Sequence, residues 1–294
     1  MPSPAVPSPA EPSPAAELTE RAPSAEPLPS AEPLPAAEPA ATSALPPNEA
    51  RVLAAAQAQA TALTGNPLHT VAAAAMDTTG RIYTAVNDYH FSGGPCAELV
   101  VLAVAAAAQA GPLTTMVAVG DRGRSVLSPC GRCRQVIIDQ HIDCTIIVPT
   151  DAGTQLLNVR KLLPHAYIAP DGPVQRIIRF AATYYDAVRT GRKTATTRLC
   201  DPAAPYELGP AWLVFEFDDG YRRLPAVVEA VAPKRFSDIT HADAQLEGGQ
   251  VADDLKQLLR GHYSGIGNDD AVDMVRFRVE PSTDPAADRV AAPN

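Results

Sequence analysis

From residue 48 onward, apolar runs alternate with polar punctuation, and their periods predict a mixed order of helices and strands. Asn48 is placed to cap a helix that reaches to about residue 63. Residues 70–76 and 82–87 are short apolar runs on either side of Asp77-Thr78-Thr79-Gly80, a hairpin signal. A run rich in Ala, Leu and Val, residues 96–110, reads as a buried helix. A strand at 115–120, a shorter one near Val126, a helix from Cys130 through Ile138 and a strand within 144–149 follow. Strands alternating with helices argue for a mixed or parallel sheet covered by helices.

The texture changes after residue 172. Residues 174–188 form an amphipathic helix candidate that ends at Thr190-Gly191. The basic, threonine-rich stretch Arg192-Lys193-Thr194-Ala195-Thr196-Thr197-Arg198 comes next. Strands are predicted at 212–217, 226–232 and 271–279, and a helix at 252–260, with Gly209 and Leu246-Glu247-Gly248 as punctuation. At 294 residues the chain has room for two modest domains, placed at 48–172 and 173–282. Residues 1–47 hold 14 of the 30 prolines and carry the repeat Ser24-Ala25-Glu26-Pro27-Leu28-Pro29, Ser30-Ala31-Glu32-Pro33-Leu34-Pro35. No apolar period runs through them, so a disordered tail is expected there, and a second one at 283–294.

Charge narrows the function classes. The formal net charge is −9, about half of it in the tail. A mildly acidic body argues against a large nucleic-acid surface and favours a small soluble substrate. No run of about 20 apolar residues suggests a membrane span, and the tail lacks the basic start and apolar core of a signal peptide. Five cysteines, an odd number, point to metal binding in a reducing cytosol more than to disulfides.

Three of those cysteines carry the sharpest signal. Cys96-Ala97-Glu98 is followed by Pro129-Cys130-Gly131-Arg132-Cys133-Arg134-Gln135. Three thiolates suit zinc, whose catalytic sites take three protein ligands and leave one position for water. Cys96 and Cys130 each open a helical run, where the macrodipole favours the thiolate. The spacing of three puts Cys130 and Cys133 on one helical face. Glu98, two residues past the first ligand, can reach the water without binding the metal. The alternatives are a structural zinc or plain buried thiols, but a structural site needs a fourth ligand and only Cys144 and Cys200 remain.

These motifs resemble the small cytidine deaminases and, among them, the blasticidin S deaminases. The similarity extends through Gly80-Arg81-Ile82-Tyr83, the block from Asn87 to Leu102, Leu127 to Val136, and Leu162-Leu163-Pro164. It implies an α/β/α deaminase fold, one zinc per chain on Cys96, Cys130 and Cys133, Glu98 as the proton carrier, and a homotetramer. It implies substrate contacts from Asn87, Tyr89 and Thr70, and an arginine bonded to a ligand sulfur, Arg134 ahead of Arg132. Two departures stand out. Tyr89 replaces the carboxylate with which cytidine deaminases grip ribose, and Ala169 lies where the family's closing aromatic aligns, with Tyr167 the nearest ring. The expected substrate is a free cytosine nucleoside or nucleoside antibiotic; a binding protein built on an inactive deaminase is the competing class.

The second half resembles the ASCH domain, a small α+β barrel related to RNA-binding PUA domains. The carriers are residues 190–198, Glu247-Gly248 and the final strand. Some members are similar in removing acyl groups from N4-acetylcytidine, which would give Lys193, Thr196 and Glu247 the roles of base, nucleophile and acid. In others Arg192, Lys193 and Arg198 would meet RNA phosphate. A passive module is the third possibility.

Overall fold

A computed structural model describes residues 45–281, except 64, 152, 169–175, 203 and 250. The expected tails and Ala169 lie outside the described residues, apart from 45–47 at the first tail's end. Helix α1 (Pro47–Thr61) starts one residue before the expected cap. Pro46 stands at the N-cap and Pro47 supplies the preset φ of the first turn. Asn48 therefore sits inside the helix, where its Nδ2 donates to Phe217 O at 3.0 Å.

The first sheet contains β1 (Val71–Asp77), β2 (Ile82–Val86), β3 (Leu113–Gly120), β4 (Val126–Leu127), β5 (Thr145–Thr150) and β6 (Gly153–Asn158). Its main order is β2-β1-β3-β5-β6, with β4 beside β3. Only β3 and β5 pair in parallel. Helices α2 (Ala97–Ala107) and α3 (Gly131–His141) cover one face, and α4 (Val159–Leu162) follows β6. In β1, Ala73 and Ala75 face α2 and α3, while Ala72, Ala74 and Met76 face α1. Alanine on both sides lets helices approach the sheet closely, which is why β1 has no polar alternation. The result is the expected α/β/α arrangement, with β6 and α4 unforeseen.

The second sheet contains β7 (Ile177–Ala181), β8 (Ala195–Leu199), β9 (Gly209–Phe217), β10 (Gly220–Arg235) and β11 (Ala271–Val279). Its order is β7-β9-β10-β11-β8. The 16-residue β10 pairs β9 along its first half and β11 along its second, with a bulge between Val228 and Ala230. Arg198 on β8 donates to the Arg179 carbonyl on β7, drawing the two outer strands together. Helices α5 (Tyr185–Arg189), α6 (His241–Leu246) and α7 (Ala252–His262) complete this α+β part.

The helix expected over 174–188 is corrected. Residues 177–181 are a strand, followed by a 3-10 turn and the short α5. Ile177 enters the core beneath α1, and Ile178 and Phe180 enter the core of the second sheet. A strand buried on both faces shows no period of two, so its apolar run looks like a helix. Ile177, Val214 and Tyr221 pack in one cluster with Val52, Ala72 and Val117, so the second sheet and α1 share the same face of the first.

Candidate active site and a second polar cavity

Two helix starts converge beside the first sheet. Cys96 is the N-cap of α2 and Cys130 the N-cap of α3, both in extended conformation. Cys133 lies one turn into α3, fully buried. The three Sγ atoms lie within 4.8 Å of one another, with Cys96–Cys130 at 3.7 Å and Cys130–Cys133 at 3.5 Å. Gly94 makes the approach to α2 possible, since a Cβ there would lie 1.7 Å from Asp88 O.

Electrostatics argues that this set is built around a cation. Burial, then the charges of Glu98 and the neighbouring thiolates, pushes the Cys133 thiol far above its ordinary range. Burial also opposes the Cys130 thiolate. Hydrogen bonds from the Cys133 N–H and thiol, from Cys96 and from the Arg132 N–H outweigh it, so that pKa falls. Glu98, second residue of α2 and 6% exposed, has its pKa raised by burial, against hydrogen bonds from its own N–H and from Cys133. Three soft donors and a carboxylate packed together without a cation repel one another. A thiophilic divalent ion resolves that, and the donor set fits zinc.

The arginines divide differently from expectation. Arg134 Nε donates to Pro129 O at 2.8 Å and its Nη1 to Leu162 O at 2.7 Å. It thus fixes the turn before Cys130. It is Arg132 whose Nη2 lies 3.9 Å from Cys96 Sγ and 3.0 Å from Gly94 O.

A cavity of about 280 Å³ opens onto Cys96, Glu98 and Cys130. Val71, Asn87, Tyr89, Ala118, Leu127 and Ser128 are among its walls. Asn87 and Tyr89 are therefore brought to the site, whereas Thr70 is not among its lining residues. The Asn87 amide is largely committed to the chain. Its Oδ1 accepts from Thr70 and Val71 N–H at 2.7 and 2.8 Å, and its Nδ2 donates to Leu68 O at 3.3 Å. The walls from Val71, Ala118 and Leu127 went unforeseen, though the alternation of β1 and β3 marks the first two.

The second sheet holds another cavity, of about 290 Å³, lined by Lys193, Thr196, Arg198 and Glu247 together with Tyr184 and Glu216. All four sequence candidates meet there. Lys193 is 3% exposed, ion-paired with Glu247 and 5.0 Å from the centre of the Tyr184 ring. Glu247 also accepts from the Thr197 N–H. Burial lowers the Lys193 pKa, opposed by Glu247. The Thr196 hydroxyl has no hydrogen-bond partner among the described residues.

Residues 47–148 match the family model of the cytidine and deoxycytidylate deaminase zinc-binding region. A Mycobacterium tuberculosis cytidine deaminase is 35% identical over 124 residues, 42% of this chain and 90% of that protein. The blasticidin-S deaminase of Bacillus cereus is 32% identical over 108 residues, 34% of this chain and 77% of that one. Among solved structures, an ASCH domain from Lactobacillus crispatus is similar at 18% identity and a TM-score of 0.31, covering 35% of this chain and 78% of that one. No helix among the described residues is long and apolar enough to cross a membrane.

Proposed function

The chain belongs to the cytidine deaminase family, and on that footing we propose that it hydrolyses the exocyclic amine of a free cytosine nucleoside, such as cytidine, deoxycytidine or blasticidin S. The observation that carries the reading is the buried Glu98 carboxyl beside three convergent thiols, with Cys96, Glu98 and Cys130 lining one cavity. Cys96, Cys130 and Cys133 would hold zinc, which would supply a Lewis acid able to lower the pKa of water. Glu98 takes a proton from the attacking water and gives it to the ring nitrogen. A second transfer to the amine lets ammonia leave. One water is consumed, one ammonia is released, and a C–N bond is replaced by C–O. Arg132 stabilises the Cys96 thiolate, and Asn87 and Tyr89 meet the sugar. A homotetramer in a reducing cytosol completes the proposal.

The test is ammonia release by the zinc-loaded full chain from cytidine, deoxycytidine and blasticidin S. Glu98→Gln should bind zinc and lose about 100-fold or more in rate. Activity undiminished in that variant, or no ammonia from any of the three, refutes the reading.

A second activity is favoured by one observation: Lys193, Thr196 and Glu247 converge in the other cavity, with the lysine buried. A lysine of lowered pKa beside the Thr196 hydroxyl suits amide hydrolysis: Thr196 Oγ1 attacks the acyl carbon, its proton passes to neutral Lys193 and on to the N4 nitrogen as the C–N bond breaks and cytidine leaves, and water then hydrolyses the acyl-threonine to release the acid. We propose that this part, read as an ASCH domain, removes the acyl group from N4-acetylcytidine. Lys193→Ala should abolish this step and leave deamination intact; deacylation that survives Lys193→Ala counts against it.

A further inference from the structure

We infer that Glu216 is a specificity-determining residue of the second cavity, its carboxyl group hydrogen-bonded to the N3–N4 edge of an N4-acylated cytosine. The inference rests on the reading of that cavity as a deacylation site. Glu216 lines the cavity with Lys193, Thr196 and Glu247. It sits on β9 between Ala181 of β7 and Tyr221 of β10. Tyr184, His262 and Tyr263 add flat rings to the walls, which suit a planar base.

The polar groups around Glu216 leave it available. Its Oε1 lies 3.4 Å from the Tyr221 hydroxyl, and its Oε2 has no hydrogen-bond partner among the described residues. Lys193 is taken by Glu247, and Arg179 by Glu49. The same Tyr221 hydroxyl lies 3.2 Å from Glu49 Oε1. A phenol carries one hydrogen, so it cannot donate to both carboxyls. A proton on Glu216 resolves the conflict. Burial, then the Glu49 charge, raises the Glu216 pKa, against Arg179 and the Tyr221 hydrogen bond.

A protonated carboxyl offers an O–H donor beside a carbonyl acceptor. N4-acylated cytosine offers the complement, the N3 lone pair beside the N4–H. Lys193 has no acceptor, and Glu247 already accepts from Lys193 and the Thr197 N–H, so neither supplies that pair. The edge also adjoins the bond to be broken, since the acyl carbon is attached to N4. A residue that holds this edge orients the acyl group within the cavity that holds Thr196.

The experiment measures dissociation constants by calorimetry on the full chain carrying Glu98→Gln and Thr196→Val, which binds without turnover at either site. The ligands are N4-acetylcytidine and its 3-deaza analogue, in which a C–H replaces N3. This chain should bind N4-acetylcytidine more tightly than the analogue. Adding Glu216→Ala should weaken N4-acetylcytidine about tenfold, the effect of two neutral hydrogen bonds, and the analogue by no more than about threefold. Adding Glu216→Gln instead, which keeps a donor beside an acceptor, should retain most of the affinity. Urea unfolding checks that each variant is folded. Equal affinity for the two ligands, equal weakening of both, or Glu216→Gln as weak as Glu216→Ala overturns the inference. Acetate release by the wild-type chain tests the deacylation reading separately. If the expected pattern appears without acetate release, only that reading falls. If acetate is released but Glu216→Ala binds N4-acetylcytidine as before, only the inference falls. If neither ligand binds and no acetate appears, both fall.

Discussion

Replacing Arg179, whose side chain is 27% exposed, with methionine should destabilise the chain by about 3–5 kcal/mol, because it leaves the buried Glu49 carboxylate without its charged partner. The structure explains why the cost should be that large. Arg179 projects from β7 into the first sheet. Its Nη2 donates to Thr114 O, to Thr145 Oγ1 at 3.0 Å and to Thr115 Oγ1 at 3.3 Å. Its Nη1 lies 3.2 Å from Glu49 Oε1. Glu49 is 1% exposed, and its Oε2 is buried without a hydrogen-bond partner among the described residues. Without the guanidinium, Glu49 keeps, among the described residues, only the neutral donors Thr115 and Tyr221, at 3.1 and 3.2 Å. Glu216 adds to the strain, since burial and then Glu49 already raise its pKa.

The assay is urea unfolding followed by Trp212, the chain's single tryptophan, which packs against the core shared by the two sheets. The double variant Glu49→Gln/Arg179→Met should recover much of the loss, because the unpaired charge disappears with its partner. A loss below about 1 kcal/mol would refute the argument, as would a double variant no more stable than the single one.

Two other sites give expectations of the same kind. Burial lowers the His141 pKa to about 4, and its Nδ1 accepts from Leu113 N–H at 3.3 Å. The unfolded chain therefore binds this proton first, and stability should fall by about 3 kcal/mol as the pH drops from 6.5 to 4. His141→Asn, which keeps an acceptor, should flatten that part of the pH profile measured by urea melts; an unchanged slope would exclude His141 as its source. Gly94→Ala should lower zinc affinity in a competition titration, because the new Cβ would press on Asp88 O and displace the approach to Cys96; unaltered affinity would show that this loop does not set the ligand geometry.

The convergence of the first site was legible because its signals are local. Cys96 with Glu98, and Cys130 with Cys133, are brought together by spacings of two and three residues, and the helix starts at Cys96 and Cys130 are equally local. The second polar cluster was legible for a different reason: Lys193, Thr196 and Glu247 were carried by a resemblance, and their convergence across 54 residues between Lys193 and Glu247 is not written in any periodicity. The choice between Arg132 and Arg134 was out of reach. Both sit in the first turns of α3, and only the positions of Gly94 and Leu162, distant in sequence, decide which guanidinium turns toward sulfur.

The misread strand β7 shows where such local inference ends. Ile177 faces one core and Ile178 another, so every position is apolar for its own reason and no period survives. The single polar residue between them and Phe180 is Arg179. On an amphipathic helix it would be a solvated charge, the simplest reading of an isolated arginine. In the folded chain it is instead the donor that joins α1, β3 and β5 to the second sheet. Its role depends on Glu49, 130 residues away, and Glu49 itself looks like an ordinary acidic residue in the first turn of a helix. Each partner has an unremarkable local explanation, and only their burial together removes it. The urea experiment on Arg179 and Glu49 thus measures a contact that long-range packing, and no motif, put in place.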